Sequence, residues 1–174
     1  EAIDIYEIGG GGGGANADYT SNGAGGNAAV PRLVSTQILT PSTGRELVRP
    51  IEVTVGAGGA IPSSTSTSGS NSYGGNGRNS FVGLWKEIST GDPYGYRADG
   101  GAGATTKGNA TGQASDTITG YSGTFLGASS APAQTTGNAP GGGGGGGSSG
   151  YNSSNRRGRA GGQGRVWLRF RGNG

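Results

Sequence analysis

Trp85, Tyr94 and Tyr96 stand close together in the chain, with carboxylates at Asp92 and Asp99 around them. Aromatic rings beside acidic oxygens suit a carbohydrate, because a ring face covers sugar C–H groups while carboxylates accept hydroxyl hydrogens. These five residues are the receptor-contact candidates. The same rings can instead cover a small core, since a chain with two Trp and three Phe must use its large side chains for packing. Glu87, Asp92 and Asp99 also invite a glycoside-hydrolysis reading, which needs two carboxylates at a defined separation. Nothing in the sequence sets that separation, so solvated loop charges are the default and no catalytic residue is assigned.

A second cluster is basic. Six of the 11 arginines, Arg156, Arg157, Arg159, Arg165, Arg169 and Arg171, fall after residue 155 with no acid among them. Such a run can meet nucleic acid, an anionic glycan or lipid. Three of them alternate on one strand face with Trp167 between, as a strand presents itself to an acidic neighbouring subunit. Arg165, Trp167, Arg169 and Arg171 are therefore the subunit-contact candidates, and no nucleic acid is expected. Glu1, Asp4 and Glu7 become partners for these arginines if the first and last strands pair.

Other chemistry is excluded by composition. The chain lacks Cys, His and Met, which removes disulfides, Cys/His metal sites, haem ligation, thiol nucleophiles and Ser-His-Asp triads. No metal, no cofactor and no enzymatic activity are expected. The glycine runs resemble phosphate loops only superficially, for neither continues into Gly-Lys-Ser/Thr or a helical pattern. No window approaches the roughly 18 to 20 apolar residues of a membrane span, so no membrane insertion is expected, and no signal-peptide pattern is present. The first residue is Glu1 rather than Met, which suggests a processed chain or a piece of a longer one.

The elements that must carry these residues are few. Glycine supplies 43 of 174 residues, and Leu, Ile, Val and Phe together supply 24, too few for a conventional close-packed core. Net charge is only +3, so the charge-driven argument for disorder fails. Four stretches alternate apolar and polar residues with period two. Ala2 to Ile8 puts Ile3 and Ile5 on one face, Asp4 and Tyr6 on the other. Leu33 to Leu39 ends in a Pro41 to Gly44 turn pattern, and Pro50 to Val55 reads as its hairpin return, with Ile51, Val53 and Val55 inward. Gly164 to Arg171 shares Val166, Leu168 and Phe170 on one face. No helix is expected, because every window of helical spacing is broken by glycine or proline.

Runs of glycine bury no side chain and cost roughly 1 to 2 kcal/mol of backbone entropy per residue or more. Extended threefold helices offer a solution, since a polyproline-type backbone makes no internal hydrogen bonds and is free to bond to neighbours. A collagen triple helix is not expected, for no Gly-X-Y period persists.

The order of features resembles the glycine-rich domains of bacteriophage tail proteins, found in minor tail proteins and tail-fibre adhesins. Ile3 to Gly14 matches their opening strand and glycine run, and Val53 to Gly59 their Val-Thr-Val-Gly-Ala-Gly-Gly motif. Asn76 to Phe81, Ala98 to Gly103, Gly141 to Gly147 and Gly161 to Val166 follow in the same order. Two departures are the short cluster at Gly100 and an insertion-like segment, Leu84 to Arg97. The resemblance implies a virion component near the tail tip, commonly trimeric, and transfers no catalytic residue.

The resulting expectation is an all-β or irregular fold, a few short β-strands combined with extended polyglycine-type segments and almost no helix. It spans residues 1–174 as one domain with a basic C-terminal strand at 164–171. Its function is expected to be that of a non-enzymatic structural virion component at the phage tail or tail fibre. Self-assembly as trimer or filament, other tail proteins and host surface carbohydrate are the expected partners, with Tyr73, Tyr121 and Tyr151 gathering near Leu84 to Arg97. The alternative is a glycine-rich extracellular fibril or matrix subunit.

Overall fold

The computed structural model describes residues 2–37, 43–62, 73–105, 107–120, 123–125, 127–150 and 156–172. Its strands are β1 (Ala2–Ile8), β2 (Arg32–Gln37), β3 (Arg45–Thr54), β4 (Ser80–Glu87), β5 (Pro93–Ala98), β6 (Ile118–Gly120), β7 (Gly123–Phe125) and β8 (Arg165–Arg171). The fold is all-β, with no helix among the described residues. Two antiparallel sheets have the orders β2-β1-β8 and β3-β4-β5, and β6-β7 is a small separate hairpin.

The middle strands of the two sheets supply the core. Ile3 and Ile5 of β1 meet Val82, Leu84 and Trp85 of β4, with Val34, Leu47, Ile51, Tyr96, Val166 and Leu168 packed around them. Burying each such aliphatic side chain stabilises the fold by about 1.5 to 3 kcal/mol. First and last strands do pair, Ala2 opposite Arg171 and Ile8 opposite Arg165. The second face of β1 is buried too: Asp4 and Tyr6 are fully enclosed, Asp4 lying 3.1 Å from the Arg171 guanidinium.

Two expectations about strands need correction. The hairpin joining the second and third stretches does not form, since β2 pairs with β1 and β3 pairs with β4 in the other sheet. The chain changes sheets here, and residues 38–42 of the expected turn lie outside the described residues. β3 also begins at Arg45 and runs through Pro50, where the register shifts between Leu47 and Glu52. That irregularity accommodates a residue with no N–H to give. Ile51 packs on the core, but Val53 and Val55 are exposed, because this edge of the sheet has no covering layer over them among the described residues.

Beyond the sheets lies a lattice of extended segments. From β1 the chain continues into residues 9–17, whose N–H groups donate to three neighbours in rotation. Gly10 and Gly13 donate to Arg78 and Gly75, Gly11 and Gly14 to Gly162 and Arg159, and Gly12 and Ala15 to Asn27 and Ala24. Partner numbers fall by three as donor numbers rise by three, so these neighbours are antiparallel and the backbone has the threefold repeat of polyproline II. Its carbonyls accept from three more segments: Gly10 and Gly13 from Gly101 and Ala104, Gly12 and Ala15 from Gly144 and Gly147, and Gly11 from Gly59. Residues 9–17 are thereby surrounded by six segments. Residues 141–147 form a second axis, bonded to segments at 12–15, 23–29, 110–113, 134–138 and 159–163.

A surrounded axis has no free face, so no position from Gly9 to Gly14 has room for a side chain. A Cβ on Gly10 would collide with the carbonyl oxygen of Ala57, and one on Gly12 with that of Ala102. The hydrogen in its place points at that oxygen and adds a weak C–H···O contact. Perimeter segments show the same threefold period as mixed sequence: Gly56, Gly59 and Pro62 are buried while Ala57 and Ala60 are exposed. Ser80 joins lattice to sheets. Its buried hydroxyl donates to the Ile8 carbonyl at 2.7 Å and accepts from the Gly56 N–H at 3.0 Å.

Candidate functional site

Leu84 to Arg97 is not a loop but most of the β4-β5 hairpin, with β4 in the middle of its sheet. The register places Trp85 opposite Tyr94 and Val82 opposite Tyr96. Trp85 is buried in the core, with both tyrosine ring centres 6.2 Å away. Tyr94 is 40% exposed, yet the Arg45 guanidinium lies 3.3 Å from its ring centre. Arg45 also donates to Glu87 at 2.7 Å, and that bond raises its pKa above the ordinary value. Tyr96 is half-buried under Arg32 at 5.3 Å. Ring faces offered by the sequence as sugar platforms are thus covered by guanidinium groups, each pair a cation–π contact.

Glu87 and Asp92 are neighbours, the Glu87 N–H donating to the Asp92 carbonyl at 3.0 Å, but Asp99 stands apart from them. Asp92 and Asp99 flank opposite ends of β5, roughly 23 Å apart at the rise of an extended strand, well beyond the spacing of a glycosidase pair. Asp99 forms an exposed ion pair with Arg97 at 2.9 Å, and Glu87 is held by Arg45.

On the outer face of the first sheet, β8 presents Arg165, Trp167, Arg169 and Arg171 alongside Asp4 and Tyr6. Arg171 is used within the chain, on Asp4 at 3.1 Å and on the Ser35 hydroxyl at 2.6 Å, and Arg165 lies 5.5 Å from the Trp167 ring. Phe170 shares a face with Val166 and Leu168, as expected, but is 57% exposed at the strand's end. Of the three N-terminal acids expected as partners, Asp4 takes the role; Glu7 faces Arg32 instead, and Glu1 lies outside the described residues.

Glu7 is the most perturbed acid among the described residues. Fully enclosed, with neither carboxylate oxygen hydrogen-bonded, it is pushed by desolvation up to about 7 against the opposing pull of Arg32.

A second surface, which sequence reasoning missed, lies at the end of the lattice away from the sheets. Residues 9–17 run outward and 23–29 return, so the turn at 18–22 caps that end. Asp18 accepts from the N–H groups of Thr20 at 2.8 Å and Ser21 at 2.6 Å, and these bonds hold its carboxyl below the ordinary value. Lys107 donates to the Asn16 carbonyl at 3.0 Å and lies 3.7 Å from Asp18. Tyr19, 54% exposed, rests on the buried Arg156 guanidinium at 4.3 Å. Ala17 N–H bonded to the Arg156 carbonyl at 2.7 Å brings these two distant residues together. The available signal was the polar run Asp18 to Asn22 between glycines, whose Asp folds back on backbone N–H groups two and three residues on. Tyr73 lies beside the lattice rather than by the β4-β5 hairpin, since Gly74 donates to Ala104. Tyr121 and Tyr151 lie outside the described residues.

The described residues include no group of three or more Asp/Glu placed to hold a metal ion, and no helix long and apolar enough to cross a membrane. No curated protein matches the chain. A glycine-rich domain family matches residues 1–171. Two glycine axes wrapped by threefold segments account physically for that composition, and the chain belongs to this glycine-rich domain family.

Proposed function

We propose that the protein is a non-enzymatic structural component of a phage tail or tail fibre that holds a receptor-contacting surface away from its attachment. The observation that carries this reading is the polarity of the fold. Ala2 pairs with Arg171, so both strands of that pair leave the sheet at one end. Residues 9–17 then extend roughly 28 Å the other way at about 3.1 Å per residue. Varied side chains, among them Tyr19, Ile61 and Tyr73, are exposed on the lattice side. A backbone-bonded lattice is a stiff spacer, since its geometry does not depend on side-chain rotamers. Among the described residues the four sheet edges β2, β8, β3 and β5 remain open to pairing, which suits self-assembly as a trimer or filament or docking on other tail proteins. Arg165, Trp167 and Arg169 supply a basic face for such a contact, and host surface carbohydrate is the receptor class proposed.

A mass-spectrometric inventory of purified phage particles tests the assignment. Recovery with capsid and tail-tube proteins is the expected result. Homopolymeric filaments without capsids would instead establish the extracellular fibril alternative.

A further inference from the structure

A cleft of about 490 Å³ opens between residues 27–32, leading into β2, and residues 97–102, leaving β5. Its walls are joined at both ends. Arg32 Nη1 donates to the Arg97 carbonyl at 2.9 Å, and the Asn27 N–H donates to the Ala102 carbonyl at 3.0 Å. Between these bridges one wall presents Val30, 74% exposed, and Pro31, while the other presents the Arg97–Asp99 ion pair.

The volume lies in the range of small-ligand sites, about 300 to 1,000 Å³, and suits a disaccharide. Bridges at both ends stop a polypeptide from threading through. Arg97 and Asp99 offer a donor and an acceptor side by side, as neighbouring sugar hydroxyls require, and Val30 with Pro31 offers an apolar wall for the C–H face. The cleft lining holds two guanidiniums and one carboxylate, with the enclosed Glu7 opposite Arg32 lying outside that lining, so the surface offered to a ligand is positive. Arg32 is already fixed by the Arg97 carbonyl and the Tyr96 ring, so little side-chain freedom is lost when it meets an anion.

We propose that this cleft binds a saccharide unit carrying a single carboxylate, of the uronic-acid type. The proposal rests on the receptor-contact reading above and gives that reading a ligand class and a place. It also moves the contact away from the faces of Tyr94 and Tyr96, leaving Asp99 as the one receptor-contact candidate that takes part.

The test is a titration of isotope-labelled protein, followed through its amide resonances, with cellobiouronic acid and with cellobiose. The two sugars differ by a carboxylate in place of a hydroxymethyl group. Saturable shifts confined to residues 27–32 and 97–102 are expected with the acid, and binding about tenfold weaker with the neutral sugar, the scale of one charge-assisted contact. Arg97→Gln should weaken the acid's binding by about tenfold, whereas Asp99→Asn, which removes a like charge and keeps an oxygen acceptor, should bind the acid at least as tightly as the parent does. Both variants should melt as the parent does, because the ion pair is exposed. Absence of saturable shifts, equal binding of both sugars, or unchanged binding of the acid in Arg97→Gln overturns the proposal. A failed titration leaves the tail assignment standing, and absence from phage particles leaves saturable binding in the cleft standing.

Discussion

Replacing Glu7 by glutamine removes a charge that the fold has no means of solvating. The carboxyl is fully enclosed on β1, has no hydrogen bond to either oxygen, and is pushed from 4.5 to about 7, with Arg32 opposite it in the register. A carboxyl whose folded pKa is raised keeps its full contribution to stability below the unfolded pKa. That contribution is lost as pH rises between the two values, because the unfolded chain releases the proton first. At 1.36 kcal/mol per pH unit, a shift of about 2.5 units corresponds to about 3 kcal/mol. For a domain of this size that is roughly 6 to 12 °C in Tm. The assay is thermal melting of both proteins from pH 4 to 8, taking the difference at each pH so that shared titrations cancel. Glu7→Gln should gain on the parent progressively between pH 4.5 and 7 and hold a constant margin above that. A difference independent of pH, or a parent that gains on the variant across this window, would refute the reasoning and show that the electrostatic pull of Arg32 outweighs burial.

Three further outcomes follow from the lattice and sheets. Gly12→Ala forces a Cβ into the Ala102 carbonyl and should cost about 3 kcal/mol or more, whereas Gly108→Ala, with only the Ala24 Cβ at 3.8 Å, should stay within about 0.5 kcal/mol; denaturant midpoints decide between them. Ser80→Ala leaves the Ile8 carbonyl and Gly56 N–H unpaired in a buried place and should cost about 2 to 4 kcal/mol by chemical unfolding, with Ser80→Thr less harmful if the hydroxyl is what matters. A double-mutant cycle on Arg45 and Glu87, both partly exposed, should give a coupling of only about 0.2 to 1 kcal/mol.

Much of the architecture was legible because its causes are local. Period-two alternation located β1 and β8, and the acid-free basic strand foretold a partner such as Asp4. Two uninterrupted glycine runs marked the two lattice axes, since only a segment with neighbours on every side excludes Cβ at each position. The β4-β5 hairpin was less legible for an equally local reason. Its register shifts between Gly83 and Trp85, so Val82, Leu84 and Trp85 are all buried and the alternation that announces a strand is broken.

Composition and spacing by themselves determined an all-β, glycine-packed chain, helix-free among the described residues, with no Cys or His chemistry. Tertiary structure alone decided that β2 pairs with β1 rather than β3, because a turn pattern constrains a few residues while strand partners are chosen by which apolar faces can be buried together. It alone stacked Tyr19 on Arg156, capped Tyr94 and Tyr96 with arginines, and set Arg32 across a cleft from Asp99. These pairs are made by segments distant in sequence and aligned through backbone hydrogen bonds, which carry no side-chain code for a reader of the sequence to follow.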